Sequence, residues 1–185
     1  MMSTSHTFIP FVERAILQFL DGTQIMNPRF EYMVYEGIGF SVSQRFEGVA
    51  DDASVDVYFE NPVGSGKKVY IIEIEVISLG QAYIDIYRGN TVTASGTAIT
   101  PVNLNFEKAT VSVCNVEHSG TYATGTLTLS AVCPGGSKKQ ACGGQASVGE
   151  VVVMPEGFNF LIRVTNKSGG NTDMSIRLLW WEESL

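Results

Sequence analysis

From Phe40 onward the chain alternates apolar and polar residues with a period of two, and that pattern constrains the fold more than any other feature. A strand places successive side chains on opposite faces, so such a run is half-buried against a core. Val69 to Ile77 reads Val-Tyr-Ile-Ile-Glu-Ile-Glu-Val-Ile. Its spacing predicts Ile72, Ile74 and Val76 toward the core, with Glu73 and Glu75 on the other face. Further runs are Phe40–Ser43, Val55–Phe59, Tyr83–Tyr87, Thr110–Val113, Gly125–Val132, Gly149–Met154, Phe158–Thr165 and Met174–Trp181. That makes about nine β segments, nearly all separated by turn residues, and no helical pattern lies between them. A parallel βαβ sheet is thereby disfavoured. The expectation is an all-β protein, an antiparallel β-sandwich, with a jelly roll preferred.

Residues 8–20 obey a different rule. Phe8, Phe11, Val12, Ala15, Ile16, Phe19 and Leu20 recur at intervals of three and four, with Glu13, Arg14 and Gln18 on the other face. This is the period of an amphipathic helix, with Thr7 as cap, Pro10 in the first turn and Gly22 as stop. A helix so short needs a partner for its apolar face, either this chain's own sandwich or another subunit. The expected organisation is an N-terminal arm over residues 1–36 and a sandwich over 37–185. Within the arm, Phe30, Tyr32, Val34 and Tyr35 suggest an extended segment or edge strand.

Composition narrows the function. Hydrophobic residues are 44% of the chain and charged residues 17%, enough apolar material for a sizeable core. The net charge is −7, and no stretch concentrates Lys or Arg. Nucleic acid and anionic membranes are therefore not expected partners. No run reaches the ~18 apolar residues needed to span a bilayer, and the N-terminus lacks the pattern of a secretory signal. Cys114, Cys133 and Cys142 form neither a disulfide framework nor a zinc pattern, although Cys133 and Cys142 flank one loop and could pair.

The search for chemistry yields little. Asn61-Pro62-Val63-Gly64-Ser65-Gly66-Lys67-Lys68 lacks the first Gly and final Ser or Thr of a phosphate loop and precedes a strand, so it reads as a β-turn. His118 sits in a turn, and no nucleophile elbow accompanies it. Carboxylate pairs at Asp51-Asp52, Glu73/Glu75, Asp56/Asp85 and Glu182-Glu183 could in principle serve glycoside hydrolysis, but solvent-facing positions explain them without any chemistry. Tyr58, Tyr70, Tyr83, Tyr87, Trp180 and Trp181 could form a platform for a host glycan. Trp180 and Trp181 must point to opposite faces, one into the core and one toward solvent or a neighbouring subunit. The expectation is a protein that is not an enzyme, with no catalytic residue, cofactor or metal site. Its interface candidates are Phe8, Phe11, Val12, Ile16, Phe19, Leu20, Trp180 and Trp181.

Several segments in fixed order resemble a widespread family of tailed-phage structural proteins. They are Asn61-Pro62-Val63-Gly64-Ser65-Gly66-Lys67 leading into Val69–Ile77, then Gly96-Thr97 and Thr100-Pro101-Val102-Asn103. Met154-Pro155-Glu156-Gly157 follows, before Phe160-Leu161-Ile162-Arg163-Val164-Thr165-Asn166, and Leu179-Trp180-Trp181-Glu182-Glu183 closes the match. The resemblance covers roughly residues 37–183. It implies a virion component, made in the host cytoplasm, in head decoration, the tail or the adsorption apparatus. It also implies a homo-oligomer, with a trimer favoured, packed on other virion proteins such as the major capsid or tail proteins. The family carries no defined functional residues onto this chain. The stretch 8–20 lies outside the match and in this reading is a docking arm.

Overall fold

The computed structural model describes residues 29–134 and 152–185. The amphipathic stretch 8–20, with the interface candidates Phe8, Phe11, Val12, Ile16, Phe19 and Leu20, lies outside the described residues, as do Cys142 and residues 149–151 of one expected strand.

One helix, α1 (Arg29–Tyr35), precedes thirteen strands among the described residues. These are β1 (Gly39–Val49), β2 (Ser54–Asn61), β3 (Lys67–Ser78), β4 (Ala82–Arg88), β5 (Thr91–Ala94), β6 (Thr97–Ala98), β7 (Val102–Asn103), β8 (Asn115–His118), β9 (Thr121–Ala123), β10 (Thr126–Cys133), β11 (Val152–Met154), β12 (Phe158–Asn166) and β13 (Thr172–Ser184). They pair antiparallel into a five-stranded sheet, β11-β3-β13-β1-β7, and a six-stranded sheet, β10-β4-β12-β2-β8-β6, with β5 and β9 forming a separate ribbon. These strands alternate between the two sheets, β1, β3, β11 and β13 in the first and β2, β4, β10 and β12 in the second, except that β10 pairs with β4 within one sheet. The expected sandwich is present, with the strand order of a jelly roll.

One core fills the space between the sheets. Phe40, Ile71, Ile74, Val76, Ile176, Leu178 and Trp180 enter it from the first sheet, and Val57, Phe59, Ile84, Ile162 and Val164 from the second. Each such side chain contributes roughly 1.5–3 kcal/mol by leaving water. Phe59 stacks on Phe160 at 5.1 Å and meets the Trp180 ring edge-on at 5.0 Å, which joins the sheets at their centre.

Buried asparagines hold the corners. Asn166 donates to Val49 O (2.8 Å) and Gly170 O (2.7 Å) and accepts from the Ser168 amide, binding the β1–β2 corner to the β12–β13 turn. Asn61 donates to Lys67 O (2.9 Å) and Met154 O (3.2 Å). That bond closes the turn through Gly64 and Gly66, both at positive φ, as the sequence predicts for a turn rather than a phosphate loop.

Four local expectations are corrected. Residues 29–35 are helical, not extended, because Phe30, Met33 and Val34 share one helical face and Met33 is buried. Thr110–Val113 is not a strand; it runs unpaired into β8, held by a carboxylate described below. Ile72 does not enter the core. Glu73 pairs with Leu179 and Ile71 with Trp180, so Ile72 is the extra residue of a bulge, and Val69 and Ile71 before it and Ile74 and Val76 after it point inward. Trp181 is not exposed. It faces away from Trp180 as strand geometry demands, but α1 lies over it: its ring stacks on Tyr70 at 4.8 Å and meets Phe30 at 6.5 Å. Both indoles are buried, at 0% and 1% exposure, so neither offers surface to a second subunit.

Candidate functional site

Most of the carboxylates singled out from sequence are held in local bonds. Asp56 takes a bidentate pair from Arg163, at 2.9 Å from Nε and 2.7 Å from a terminal nitrogen. This bond holds the guanidinium pKa up, against the opposing effect of its burial. Asp85, on the other side of Arg163 in the sheet, accepts from Ser130 Oγ at 2.7 Å. Glu75 faces Arg177 at 3.5 Å. Asp52 pairs with Lys167, and Asp51 accepts the Gly169 amide.

Glu182 is buried, yet three donors meet it: Ser112 Oγ at 2.5 Å, Val113 N at 3.2 Å and Trp180 Nε1 at 3.1 Å. These bonds stabilise the buried carboxylate and pin the unpaired segment before β8 to β13. Burial pushes the Cys114 thiol up, and the Glu182 charge pushes it further, so Cys114 is an inert thiol. The His118 Nδ1 meets Ser119 Oγ at 2.9 Å. Among the described residues no carboxylate hydrogen-bonds that ring, and no group of three His, Cys, Asp or Glu is placed to hold a metal ion.

The aromatic platform is not formed. Tyr58, Trp180 and Trp181 are buried, Tyr70 is stacked under Trp181, and Tyr83 alone of the six is exposed, with Lys167 over its ring at 5.7 Å.

What the fold brings together instead is a cleft of about 600 Å³ on the outer side of the six-stranded sheet. β2 supplies Tyr58 and Glu60, β8 supplies Asn115 and Glu117, and the chain around β6 supplies Ser95, Ala98 and Pro101. Asn115 donates to Glu60 Oε2 at 3.2 Å. The Gly96 amide donates to Glu117 Oε2 at 3.1 Å, while Glu117 Oε1 is buried without a hydrogen-bond partner among the described residues. A Cβ on Gly96 would stand 2.1 Å from His118 O and 2.6 Å from Gly120 N, so only glycine fits this wall.

Behind the cleft Tyr58 stacks on Tyr122 at 5.3 Å, nearly parallel. Burial, then the charges of Glu60 and Glu117, pushes the Tyr58 phenol up to about 12. Burial also raises the Tyr122 phenol, Glu117 adding to it and the Gly120 amide opposing. The arrangement is an acidic wall along the cleft, suited to a hydroxylated or cationic group.

Sequence reading missed this pair of carboxylates. Glu60 stands one residue past the run Val55–Phe59, and β8 is only four residues long and carries no run of period two that would mark Glu117. No helix among the described residues is long and apolar enough to cross a membrane. No protein-family model matches the sequence, and no curated protein matches it.

Proposed function

We infer that the chain is a non-enzymatic structural building block of a virus particle, most simply a phage, which self-associates and docks on other particle proteins. The observation that carries this reading is where eight of the thirteen exposed large apolar side chains among the described residues fall. Leu127, Val132, Val152 and Val153 lie on one edge of the sandwich, and Tyr35, Val102, Phe106 and Val111 lie on or beside the helix and β7 at the other. Apolar surface collected at edges is surface for protein contact. The segments that resemble tailed-phage structural proteins supply the virion context, and a trimer is the favoured assembly. Antiserum against the chain is expected to follow particles through a density gradient. Protein that stays at the top of the gradient, free of particles, sinks the reading.

A second reading is favoured by the cleft. Glu60, Asn115 and Glu117 offer acceptors and a donor to a sugar, so a particle protein of this kind also serves as a host-glycan module. Binding on a glycan array that Glu117→Gln abolishes supports it; an array with no signal removes it.

A further inference from the structure

We propose that the cleft over β2 and β8 binds an organic ammonium group, the end of a lysine side chain or of a polyamine, held between Glu60 and Glu117 with the Tyr58 hydroxyl as a further contact. The proposal goes beyond the glycan reading of the same cleft and does not depend on it.

Strand register builds the site. Tyr58 lies opposite Glu117 and Glu60 opposite Asn115, while Phe59 and Val116 between them enter the core. Tyr58, Glu60, Asn115 and Glu117 therefore form one two-by-two block on the outer face of the sheet. Glu60 and Glu117 occupy its diagonal, which sets their Cβ atoms about 7–8 Å apart and leaves room for one group between the carboxylates. On the other side of β8, Ala98 pairs with Glu117 and brings only a methyl group to the cleft.

Neither carboxylate has a cation. The ion pairs among the described residues join Arg45 to Glu47, Arg163 to Asp56, Lys167 to Asp52 and Arg177 to Glu75, and none reaches Glu60 or Glu117. Tyr58 is a second, independent sign. It is only 4% exposed, yet its hydroxyl makes no hydrogen bond with any described residue. The side-chain atoms that are sealed in without a partner are Asn61 Oδ1 and Glu117 Oε1. The Tyr58 oxygen is not one of them, so it still meets the outside, and it does so in the cleft that Tyr58 lines. Burial, then the charges of Glu60 and Glu117, raise that phenol, so both carboxylates act on the same oxygen.

The chemistry left in the lining selects the ligand. The Asn115 side-chain amide is given to Glu60 and the Gly96 N–H to Glu117. One face of the Tyr58 ring is stacked on Tyr122, so a sugar cannot lie on it. What remains is carboxylate and hydroxyl oxygen. An ammonium carries three donors and no acceptor, which suits such a lining, whereas a neutral sugar needs donors in return. A metal ion fits less well, because among the described residues no three His, Cys, Asp or Glu converge. At about 600 Å³ the cleft also admits the alkyl chain behind the charge, against Val92, Ile99 and Pro101.

The test titrates the full chain by calorimetry at low salt with cadaverine, with Nα-acetyl-lysine methylamide and with Nα-acetyl-norleucine methylamide, which lacks only the ammonium. The two amines are expected to bind with a Kd on the order of 1 mM, and the norleucine compound not at all. Binding of cadaverine alone points to a free polyamine, and binding of the lysine compound to a protein side chain; either supports the proposal. Glu60→Gln should weaken binding about tenfold and Tyr58→Phe, which keeps the ring on Tyr122, about threefold. Glu107→Gln, beside the helix, should leave it unchanged. Glu117→Gln is the second choice should either variant lose its native circular dichroism. No amine binding, or binding that Glu60→Gln and Tyr58→Phe leave intact, overturns the proposal. Equal binding of the norleucine compound does so as well, since the site is then merely apolar. So does Ca²⁺ that displaces cadaverine at lower concentration, since the site then belongs to a metal. A neutral sugar such as maltose that binds where the amines do not sinks this proposal and keeps the glycan reading. Amine binding beside a silent glycan array does the reverse, and the virion reading stands in both cases.

Discussion

Each sheet of the sandwich carries aromatic side chains on its outer face, and each is covered in a different way. On the five-stranded sheet a seven-residue helix closes over Trp181 and Tyr70. Gly39 lets it approach: a Cβ there would lie 2.7 Å from Val34 Cγ2 and 3.2 Å from Val34 Cα. On the six-stranded sheet the β5–β9 ribbon lays Tyr122 and Val92 over Tyr58 and Leu161, with Tyr87 packed beside them. The helical cover brings Phe30 to Trp181 and Val34 to Gly39. The ribbon cover is bounded by Glu60 and Glu117 and leaves a cleft open beside it. A helix can bury a face by laying one stripe along it, whereas a two-stranded ribbon brings backbone edges and turns with it, and those need polar partners. The cleft is thus a by-product of covering aromatics with strand rather than helix.

Substitutions can break this comparison. Trp181→Ala empties the space under α1 and is expected to cost about 3–5 kcal/mol, read as a lower urea midpoint at unchanged slope. An effect under 1 kcal/mol would mean the helix covers nothing of consequence. On the other side, Gly96→Ala forces backbone apart at His118 and Gly120, at a cost of about 3 kcal/mol. Because its obstacles are backbone atoms, it is expected to exceed Gly39→Ala, where a side-chain methyl is the nearest obstacle and the loss is about 1–2 kcal/mol. The reverse order would show the ribbon to be the looser cover.

Between the two lies Glu182, which ties the segment before β8 to β13. Glu182→Gln leaves one of its three donors poorly met and is expected to cost about 1–3 kcal/mol. It should also make Cys114 more reactive to a thiol reagent, because the charge that raises its pKa is gone. The smallest effect is on pH dependence. Tyr58 ionises at about 12 when folded and near 10 when unfolded, so its contribution to stability is present below pH 10 and lost as pH rises from 10 to 12. Tyr58→Phe should flatten that part of the stability curve, and an unchanged slope would place the phenol in water.

The strands were legible because period two is a local property: Val55–Phe59, Tyr83–Tyr87 and Phe158–Thr165 all fall inside observed strands. The opposition of Trp180 and Trp181 was legible for the same reason. Whether the outward indole meets water was not, because that depends on where Phe30 and Val34 dock. Those residues favour strand by propensity and became helical through packing on β1 and β13. Ile72 misled because a bulge shifts the alternation without altering composition. The cleft was invisible because β2, β8 and the chain near β6 meet only in the folded sheet.

The place of β13 has a consequence for how the protein is made. It runs between β1 and β3, with Gly39 opposite Trp181 on one side and Tyr70 opposite Trp181 on the other. Until β13 leaves the ribosome, β1 and β3 have a gap where their shared neighbour belongs, and the core lacks Ile176, Leu178 and Trp180. Every earlier strand waits, with apolar faces uncovered, on this one strand, which follows all of them in the chain. Folding is then governed by long-range pairing, which is slow and open to aggregation. Production at low temperature or with abundant chaperone should raise soluble yield more than any change at the surface.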